Sequence, residues 1–228
     1  MPKISSKEII DVVNYSGDRA IIVEKIPLLD SINKYKVNYF VIDFKSGKKE
    51  VITKSAYLHS KFGSNNQKIT DIIANFVQCE ATILSNKNVL IISPVGEYGL
   101  FNSDGELKSS GILEYNGKRV CGLAADGDYF WGYCSDENCV IRYNAENMKV
   151  DLRMGGNESS TFIEPVYISS DEENIYVCCD TNKVKKISKS NFNVSEVKGA
   201  FYGIKRYYKF NNCSLLCMPD GAYLNTDR

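Results

Sequence analysis

The sequence has little of what membrane-spanning and nucleic-acid-binding proteins need. No apolar run among its 228 residues approaches the roughly 20 residues of a membrane-spanning helix. Positive and negative side chains balance at 28 each. A neutral chain lacks the basic footprint that attracts nucleic acid or an anionic membrane surface. We therefore expect neither of these among its partners.

Histidine is nearly absent, which restricts the chemistry that the chain can carry. A Ser-His-Asp triad, a Cys-His pair or a mixed zinc site would each have to use His59, the only histidine. The C-x4-C and C-x3-C cysteine pairs are not the paired knuckles of a structural zinc site, and no phosphate-binding loop is present. We expect no metal, no cofactor and no catalytic residue from these motifs, and His59 as a solvated loop residue.

Cysteine is too sparse for a disulfide scaffold, with eight among 228 residues. Cys178 and Cys179 are adjacent, which suits reduced core thiols better than a set of disulfides. The N-terminal residues MPKISSKEIID lack the apolar stretch of a signal peptide. We expect a cytoplasmic protein with structural thiols.

A degenerate repeat of about 45 residues is the main positive signal. Two consecutive copies begin at Val120 and Glu164, and each reads as four short strands separated by polar turns. The second strand of the unit recurs five times as an apolar run, for example YFWGYC from Tyr129 and IYVCC from Ile175. Strands that are apolar on both faces are covered on both sides.

Five copies of a four-stranded unit predict an all-β fold, a five-bladed β-propeller of antiparallel blades. We expect one domain over residues 1–228. The expected blades cover residues 8–54, 78–112, 119–153, 164–198, and 203–228 together with 3–6. The last copy lacks a fourth strand, so residues 3–6 are expected to supply it and close the fold.

Residues 55–77 break the repeat between the first two blades. Apolar residues at Ile69, Ile72, Ile73, Phe76 and Val77 follow helical spacing, with Thr70 as a candidate N-cap. The segment predicts a loop followed by a short helix, near residues 64–77, although the same run would also suit a strand.

The repeated strand–turn–strand units resemble those of the β-propeller superfamily, in the general manner of WD-repeat proteins. The paired Gly-His and Trp-Asp dipeptides of true WD repeats are absent, so the resemblance names no particular family. Five-bladed lectin propellers are similar in size, but here Trp-Gly occurs once, at Trp131. The resemblance implies a fold, and a fold alone does not imply a function.

The long connections of the repeat all fall on one side of the predicted blades. They join the fourth strand of one blade to the first of the next, or the second strand to the third, and such loops on a rigid scaffold often carry function. Each second-to-third connection also carries an acid, which predicts an acidic rim of Asp30, Glu97, Asp136, Glu137, Asp180 and Asp220. Aspartate also favours turns for purely local reasons.

The sequence leaves two functions open. One is a non-catalytic binding or scaffolding module that holds a protein or a small ligand on the long-loop side, with a recess shaped by Glu80, Arg119, Glu164, Tyr167 and Arg206. The alternative is a glycosidase-like hydrolase in which the carboxylates of Glu80 and Glu164 act in the central well. The distance between two such carboxylates decides that chemistry.

The prediction that the cysteines are reduced and structural can be tested directly. Thiol titration of the denatured protein without reductant should find eight free cysteines, because we expect a reducing compartment and apolar strand positions for most of them. Four disulfides would contradict both the thiol prediction and the cytoplasmic one.

Overall fold

A computed structural model of the protein describes residues 1–28, 34–63, 67–74, 79–199 and 201–226. It contains twenty-two strands and two helices within these ranges. In chain order they are β1 (Lys3–Ser5), β2 (Glu8–Ser16), β3 (Arg19–Pro27), β4 (Tyr35–Asp43), β5 (Lys49–Val51), α1 (Lys54–Phe62), α2 (Gln67–Ala74), β6 (Glu80–Ile83), β7 (Val89–Ile92), β8 (Glu97–Phe101), β9 (Leu107–Ile112), β10 (Glu114–Tyr115), β11 (Lys118–Arg119), β12 (Cys121–Asp126), β13 (Tyr129–Cys134), β14 (Cys139–Asn144), β15 (Lys149–Gly155), β16 (Pro165–Ser170), β17 (Asn174–Cys179), β18 (Lys183–Ser188), β19 (Val194–Glu196), β20 (Arg206–Lys209), β21 (Cys213–Met218) and β22 (Gly221–Thr226).

Five four-stranded sheets place the protein in the five-bladed β-propeller class, as the repeat predicts. The sheets have the strand orders β2-β3-β4-β5, β6-β7-β8-β9, β12-β13-β14-β15, β16-β17-β18-β19 and β1-β22-β21-β20. Neighbouring strands pair in the antiparallel sense, for example β13 with β14 and β17 with β18. Up-and-down order within each sheet follows from the short turns between consecutive strands.

The chain divides into two compact units. The first unit comprises Met1–Ser64 with Tyr208–Arg228, and the second comprises Asn65–Tyr207. The prediction of one domain over the whole chain stays a prediction.

The first unit contains the predicted closing strand. β1 pairs with β22 through Lys3 opposite Tyr223 and Ser5 opposite Ala222, which gives the last sheet its fourth strand. Leu224 N–H donates to the carbonyl of Pro2 at 3.0 Å. Ile4 is buried in the same apolar cluster as Phe40 and Leu215. The expected closure by the N-terminal strand is confirmed.

The segment between the first two sheets forms two helices. α1 begins after Thr53, whose hydroxyl oxygen accepts the Ala56 N–H at 3.1 Å, and His59 is an exposed residue of this helix rather than of a loop. α2 already begins at Gln67, so Thr70 lies inside it and donates its hydroxyl to the Gln67 carbonyl instead of capping it. The predicted short helix is confirmed as α2, although it begins before Thr70, and the loop predicted ahead of it was wrong because α1 forms there. Phe76 and Val77 lie outside the described residues.

A half-buried charge holds α1 against the first sheet. Its Tyr57 hydroxyl and its Lys61 ammonium each lie 2.5 Å from one carboxylate oxygen of Asp11 on β2. Tyr57 also packs on the apolar cluster of Ile21 and Val41. Burial is the main cause that raises the pKa of Tyr57, and the Asp11 charge adds to it. The helix therefore covers one face of this sheet.

The second unit holds three complete sheets with apolar packing between neighbours. One buried cluster joins Leu90 and Ile92 of β7 to Phe130 and Ile141. Another joins Trp131 and Val140 to strands β16, β17 and β18. The second strands β7 and β17, buried throughout apart from Asn174, have the two-sided covering that their apolar sequences predict.

Each of two equivalent turns in this unit has an aspartate that accepts a hydrogen bond from an aromatic side chain. Asp126 accepts the indole N–H of Trp131 at 2.9 Å, and Asp171 accepts the Tyr176 hydroxyl at 2.7 Å. The ammonium of Lys189 then bridges the two turns, donating to the carbonyls of Ala125 and Asp171 at 3.0 and 2.8 Å. Each aspartate thus fixes its own sheet, and Lys189 fastens neighbouring sheets together.

The cysteines are structural in this fold. All eight lie in described positions and none is in a disulfide, and six are buried. Burial raises the pKa of the Cys139 thiol to about 12 and that of Cys179 to about 11. Because the thiolate is the nucleophile, these thiols are inert at neutral pH. Within the described ranges, no helix has the length and apolar character to cross a membrane.

Deletion of residues 1–7 tests the closing strand. The truncated chain loses the β1–β22 pairing and the buried Ile4 side chain. We expect a loss of about 3 kcal/mol or more in unfolding free energy, from the cost of deleting a large core side chain. That loss lowers the melting temperature by roughly 6–12 °C for a chain of this size.

A synthetic peptide of residues 1–7 provides the control for that deletion. Added to the truncated protein, it should restore part of the lost stability, because it can re-form the outer strand. A truncated chain that melts like the full one would contradict closure by β1.

Candidate functional site

The connections of the second unit that enter a first or a third strand lie at one end of their sheets, which we call the loop face. It comprises residues 93–96, 113–120, 135–138, 156–164, 180–182 and 197–205, apart from residue 200. In each sheet these are the connections that lead into the first or the third strand. The antiparallel order puts both kinds of connection at the same end of their sheet.

Two asparagines hold the loop face together. Asn138 and Asn182 lie 44 residues apart, each just before the third strand of its sheet. The side-chain oxygen of Asn138 accepts the Glu164 N–H at 2.8 Å, and that of Asn182 accepts the Gly203 N–H. Both have positive φ, at 50° and 63°, which asparagine adopts more readily than most residues. Each turn is thus bonded to the connection that leads into the next sheet.

Gly96 occupies the same position in the sheet of β6–β9 and uses its backbone instead. Its carbonyl accepts the Leu113 N–H at 2.8 Å. A Cβ at Gly96, where φ is 80°, would lie 2.5 Å from the Val120 carbonyl oxygen. The close approach of the next connection therefore requires glycine here.

The five predicted rim acids that are described lie in or next to connections between second and third strands. Glu97 begins β8, Asp136 and Glu137 lie in the β13–β14 turn, and Asp180 follows β17. Asp220 lies in the β21–β22 turn of the first unit. Asp30 lies outside the described residues.

Three of these acids face a lysine that the repeat does not predict. Lys118 lies 3.9 Å from Asp136, Lys205 lies 4.0 Å from Asp180, and Lys3 lies 3.4 Å from Asp220. All six side chains are at least 40% exposed, so each pair is a weak, screened interaction. The charge around each of these acids is therefore mixed rather than purely acidic.

A β-bulge positions the carboxylate of Glu80. The register of β12 shifts between Cys121 and Ala124, and Gly122 within it has φ of 77°. The shift turns the Leu123 N–H away from the strand ladder, and it donates to Glu80 Oε2 at 2.6 Å. Bulges of this kind commonly redirect groups next to functional sites.

Arg206 completes an inner-strand cluster around Glu80. Its Nη1 lies 3.9 Å from Glu80 Oε1, and its guanidinium lies 4.6 Å from the centre of the Tyr167 ring. The charged side chains are 24% and 27% exposed, so solvent reaches them. Burial raises the pKa of the neighbouring Tyr133. Three of the five predicted recess residues, Glu80, Tyr167 and Arg206, are therefore brought together.

The other two predicted recess residues lie elsewhere. Arg119 is exposed on the small hairpin of β10 and β11, where its Nη1 donates to the Val95 carbonyl at 2.9 Å. The hairpin forms because Asn116 and Gly117 both adopt positive φ, the conformation of a two-residue turn. Glu164 is exposed at φ of 47° before β16, and its N–H is the one bound by Asn138. Arg119 and Glu164 therefore lie on connections between the four-stranded sheets, whereas Glu80, Tyr167 and Arg206 lie on strands of those sheets.

Exposed apolar side chains distinguish the loop face from the opposite turns. Val95, Ile163 and Tyr202 are 51%, 40% and 76% exposed, and all three lie on the loop face. The other large exposed apolar residues of the described second unit lie on fourth strands: Leu107, Ile112, Val150 and Val194. None of the turns that enter its second or fourth strands carries one in the part of the chain that is described.

The described residues contain no cluster of candidate metal ligands. Among the described residues, no three His, Cys, Asp or Glu side chains come together in a way that could hold an ion.

Comparison with known proteins identifies no relative by sequence. No family model matches the chain, and no curated protein matches it. Similar solved structures include one of a nidogen/laminin complex, at 9% identity and a TM-score of 0.49, which covers 93% of this chain and 73% of that one. Saccharomyces cerevisiae Sqt1 has 10% identity and a TM-score of 0.47, covering 97% of this chain and 72% of that one.

A computationally designed protein, Ika4, is also similar, at 10% identity and a TM-score of 0.47, covering 62% of this chain and 86% of that one. Similarities at this level carry no argument about activity. The assignment to the five-bladed β-propeller class comes from the strand pairing of this chain itself.

Replacing Asn182 with alanine tests the frame of the loop face. The variant leaves the Gly203 N–H without its acceptor and puts a less suitable residue at positive φ. We expect a loss of about 1–3 kcal/mol in unfolding free energy by denaturant titration, from the cost of an unsatisfied donor. The matched control is Asn147→Ala, because within the described ranges that exposed side chain accepts only from the nearby Lys149 N–H. Equal stability of the two variants would contradict the role of Asn182.

Proposed function

We propose that the protein is a non-catalytic binding module that holds a protein partner on the loop face. The observation that supports this most is the exposure of Val95, Ile163 and Tyr202 on connections that are otherwise fixed by hydrogen bonds. Aromatic and aliphatic side chains exposed on a rigid frame, with charged residues around them, are typical of protein interfaces.

The weak ion pairs around these residues suit the rim of such an interface. Lys118 with Asp136 and Lys205 with Asp180 are exposed and long, so they can exchange partners at low cost. Rim charges of this kind mainly steer association and select partners, while central apolar contacts supply affinity. The inner-strand cluster of Glu80, Tyr167 and Arg206 would lie beside the bound partner and add polar contacts.

The hydrolase alternative has less support. Its two carboxylates have different settings, since Glu80 is held by a backbone N–H and by Arg206, whereas Glu164 is exposed in a turn. A glycosidase needs two carboxyl groups that face one bond at a defined separation. The inner-strand setting of Glu80 and the turn setting of Glu164 do not favour such a pair.

A pair of variants tests the proposed face. Ile163→Asp combined with Tyr202→Asp removes the apolar contacts, while Val150→Asp introduces the same charge at a fourth-strand residue that is 43% exposed. Proteins captured by each tagged variant from cell extract are compared with those captured by the unaltered chain. The partner should be retained by the Val150 variant and lost by the double variant. Equal capture by both would contradict the proposal.

Neutralising the rim acids tests how much they contribute. Asp136→Asn, Glu137→Gln and Asp180→Asn are combined, and affinity for the captured partner is measured between about 50 and 500 mM salt, where screening lengths fall from above to below about 8 Å. We expect a change in the salt dependence with an affinity loss below about tenfold, because exposed pairs contribute little. An unchanged affinity and an unchanged salt dependence would mean that these acids serve only the turns.

A further inference from the structure

The second and third strands of the first sheet form a two-stranded ribbon that is longer than the equivalent pairs of the other sheets. β3 and β4 pair over nine positions, from Arg19 opposite Asp43 to Pro27 opposite Tyr35. The equivalent strands of the other sheets pair over four or six positions. Three further residue pairs extend the ribbon by about 10 Å.

The outer edge of this ribbon is covered along only part of its length. β5 pairs with β4 at Phe40, Val41 and Ile42. One further bond runs from Ile52 N–H to the Tyr39 carbonyl at 2.9 Å. Among the described residues, no strand lies beside the remaining segment of β4, Lys36–Asn38, on that side.

Val37 directs its backbone groups toward this uncovered side. The Asp43 N–H donates to the Lys48 carbonyl, and the Tyr39 carbonyl accepts from Ile52. Both bonds lie on the β5 side, so odd-numbered residues of β4 turn their N–H and C=O groups that way. By the same alternation, Val37 presents a donor and an acceptor to an incoming strand.

The side chains beside this edge define what strand would fit. Phe40 and Ile42 pack on one face of the sheet, whereas Val37, Tyr39 and Val41 belong to the other. By alternation, Lys34 and Lys36 lie on the first face, and both are exposed. Neither has an acid within salt-bridge distance among the described residues. The first face beside the edge therefore carries two exposed lysines, with Glu24 behind them held by Ser5 and Asn38. The other face carries Val37, with Lys25 of β3 opposite it.

We propose that the edge of β4 at Lys36–Asn38 binds an extended segment of a partner protein whose residues alternate between acidic and apolar. Such a segment would pair with the Val37 backbone and extend the sheet. Its acidic residues would lie beside Lys34 and Lys36, and its apolar residues beside Val37. A second copy of the chain fits less well, because edge-to-edge pairing would bring the lysines of the two copies together.

The binding test uses a fluorescent eight-residue peptide of alternating valine and glutamate, followed by anisotropy on the full chain. We expect saturable binding, at least tenfold weaker for a valine–lysine peptide. Lys34→Glu with Lys36→Glu should reverse this preference. No binding of the valine–glutamate peptide, or the same preference in both proteins, would overturn the proposal.

Backbone pairing is tested separately from charge. Two further peptides carry N-methyl groups either on every valine or on every glutamate. A strand that pairs through one edge uses alternate residues, so one of these peptides should lose at least tenfold in affinity and the other should keep it. Equal affinity of both with the unmethylated peptide would overturn pairing at the edge.

Protein variants complete the design. Val37→Pro removes the outward N–H and should abolish binding, while Val37→Thr keeps it and should bind normally. Sedimentation of the free chain tests whether a second copy occupies this edge instead. A dimer that Val37→Pro dissociates would show that it does, and would overturn the proposal.

Discussion

The pairing of β1 with β22 is the interaction on which the rest of the first unit depends. An outer strand satisfies the backbone groups of β22, which would otherwise form an open edge. It also brings Ile4 into the cluster that contains Phe40 and Leu215, so the first and last sheets share one core. α1 then covers the other face of the first sheet through Tyr57 and Asp11. Edge satisfaction and core burial therefore act together in this part of the chain.

In the second unit, turns satisfy backbone groups of the neighbouring connections by hydrogen bonding to them. Asn138, Asn182 and Gly96 hold equivalent positions, and each binds a backbone group of an adjoining connection. These bonds fix the connections without using the side chains at their tips. Ile163 and Tyr202 are left exposed on connections fixed by hydrogen bonds, so the partner that we propose would bind them without first ordering a flexible loop.

The sequence was sufficient to predict the sheets, because their second strands are apolar on both faces and recur at a fixed period. It also predicted the closing strand and three members of the inner-strand cluster, Glu80, Tyr167 and Arg206. Period alone cannot reveal which side chains pair across sheets, so the lysines beside Asp136 and Asp180 were missed. The Asn116–Gly117 turn is a local signal that was overlooked, and it places Arg119 on the β10–β11 hairpin.

Photo-crosslinking in cells tests the binding face most directly, because it captures a partner whose identity is not known. A photoreactive phenylalanine analogue is placed at Tyr202, at Ile163, or at Glu172, an exposed residue of the β16–β17 turn. Binding on the loop face predicts adducts of one common mass from positions 202 and 163, and none from position 172. Adducts from position 172 alone, or from none of the three positions, would contradict it.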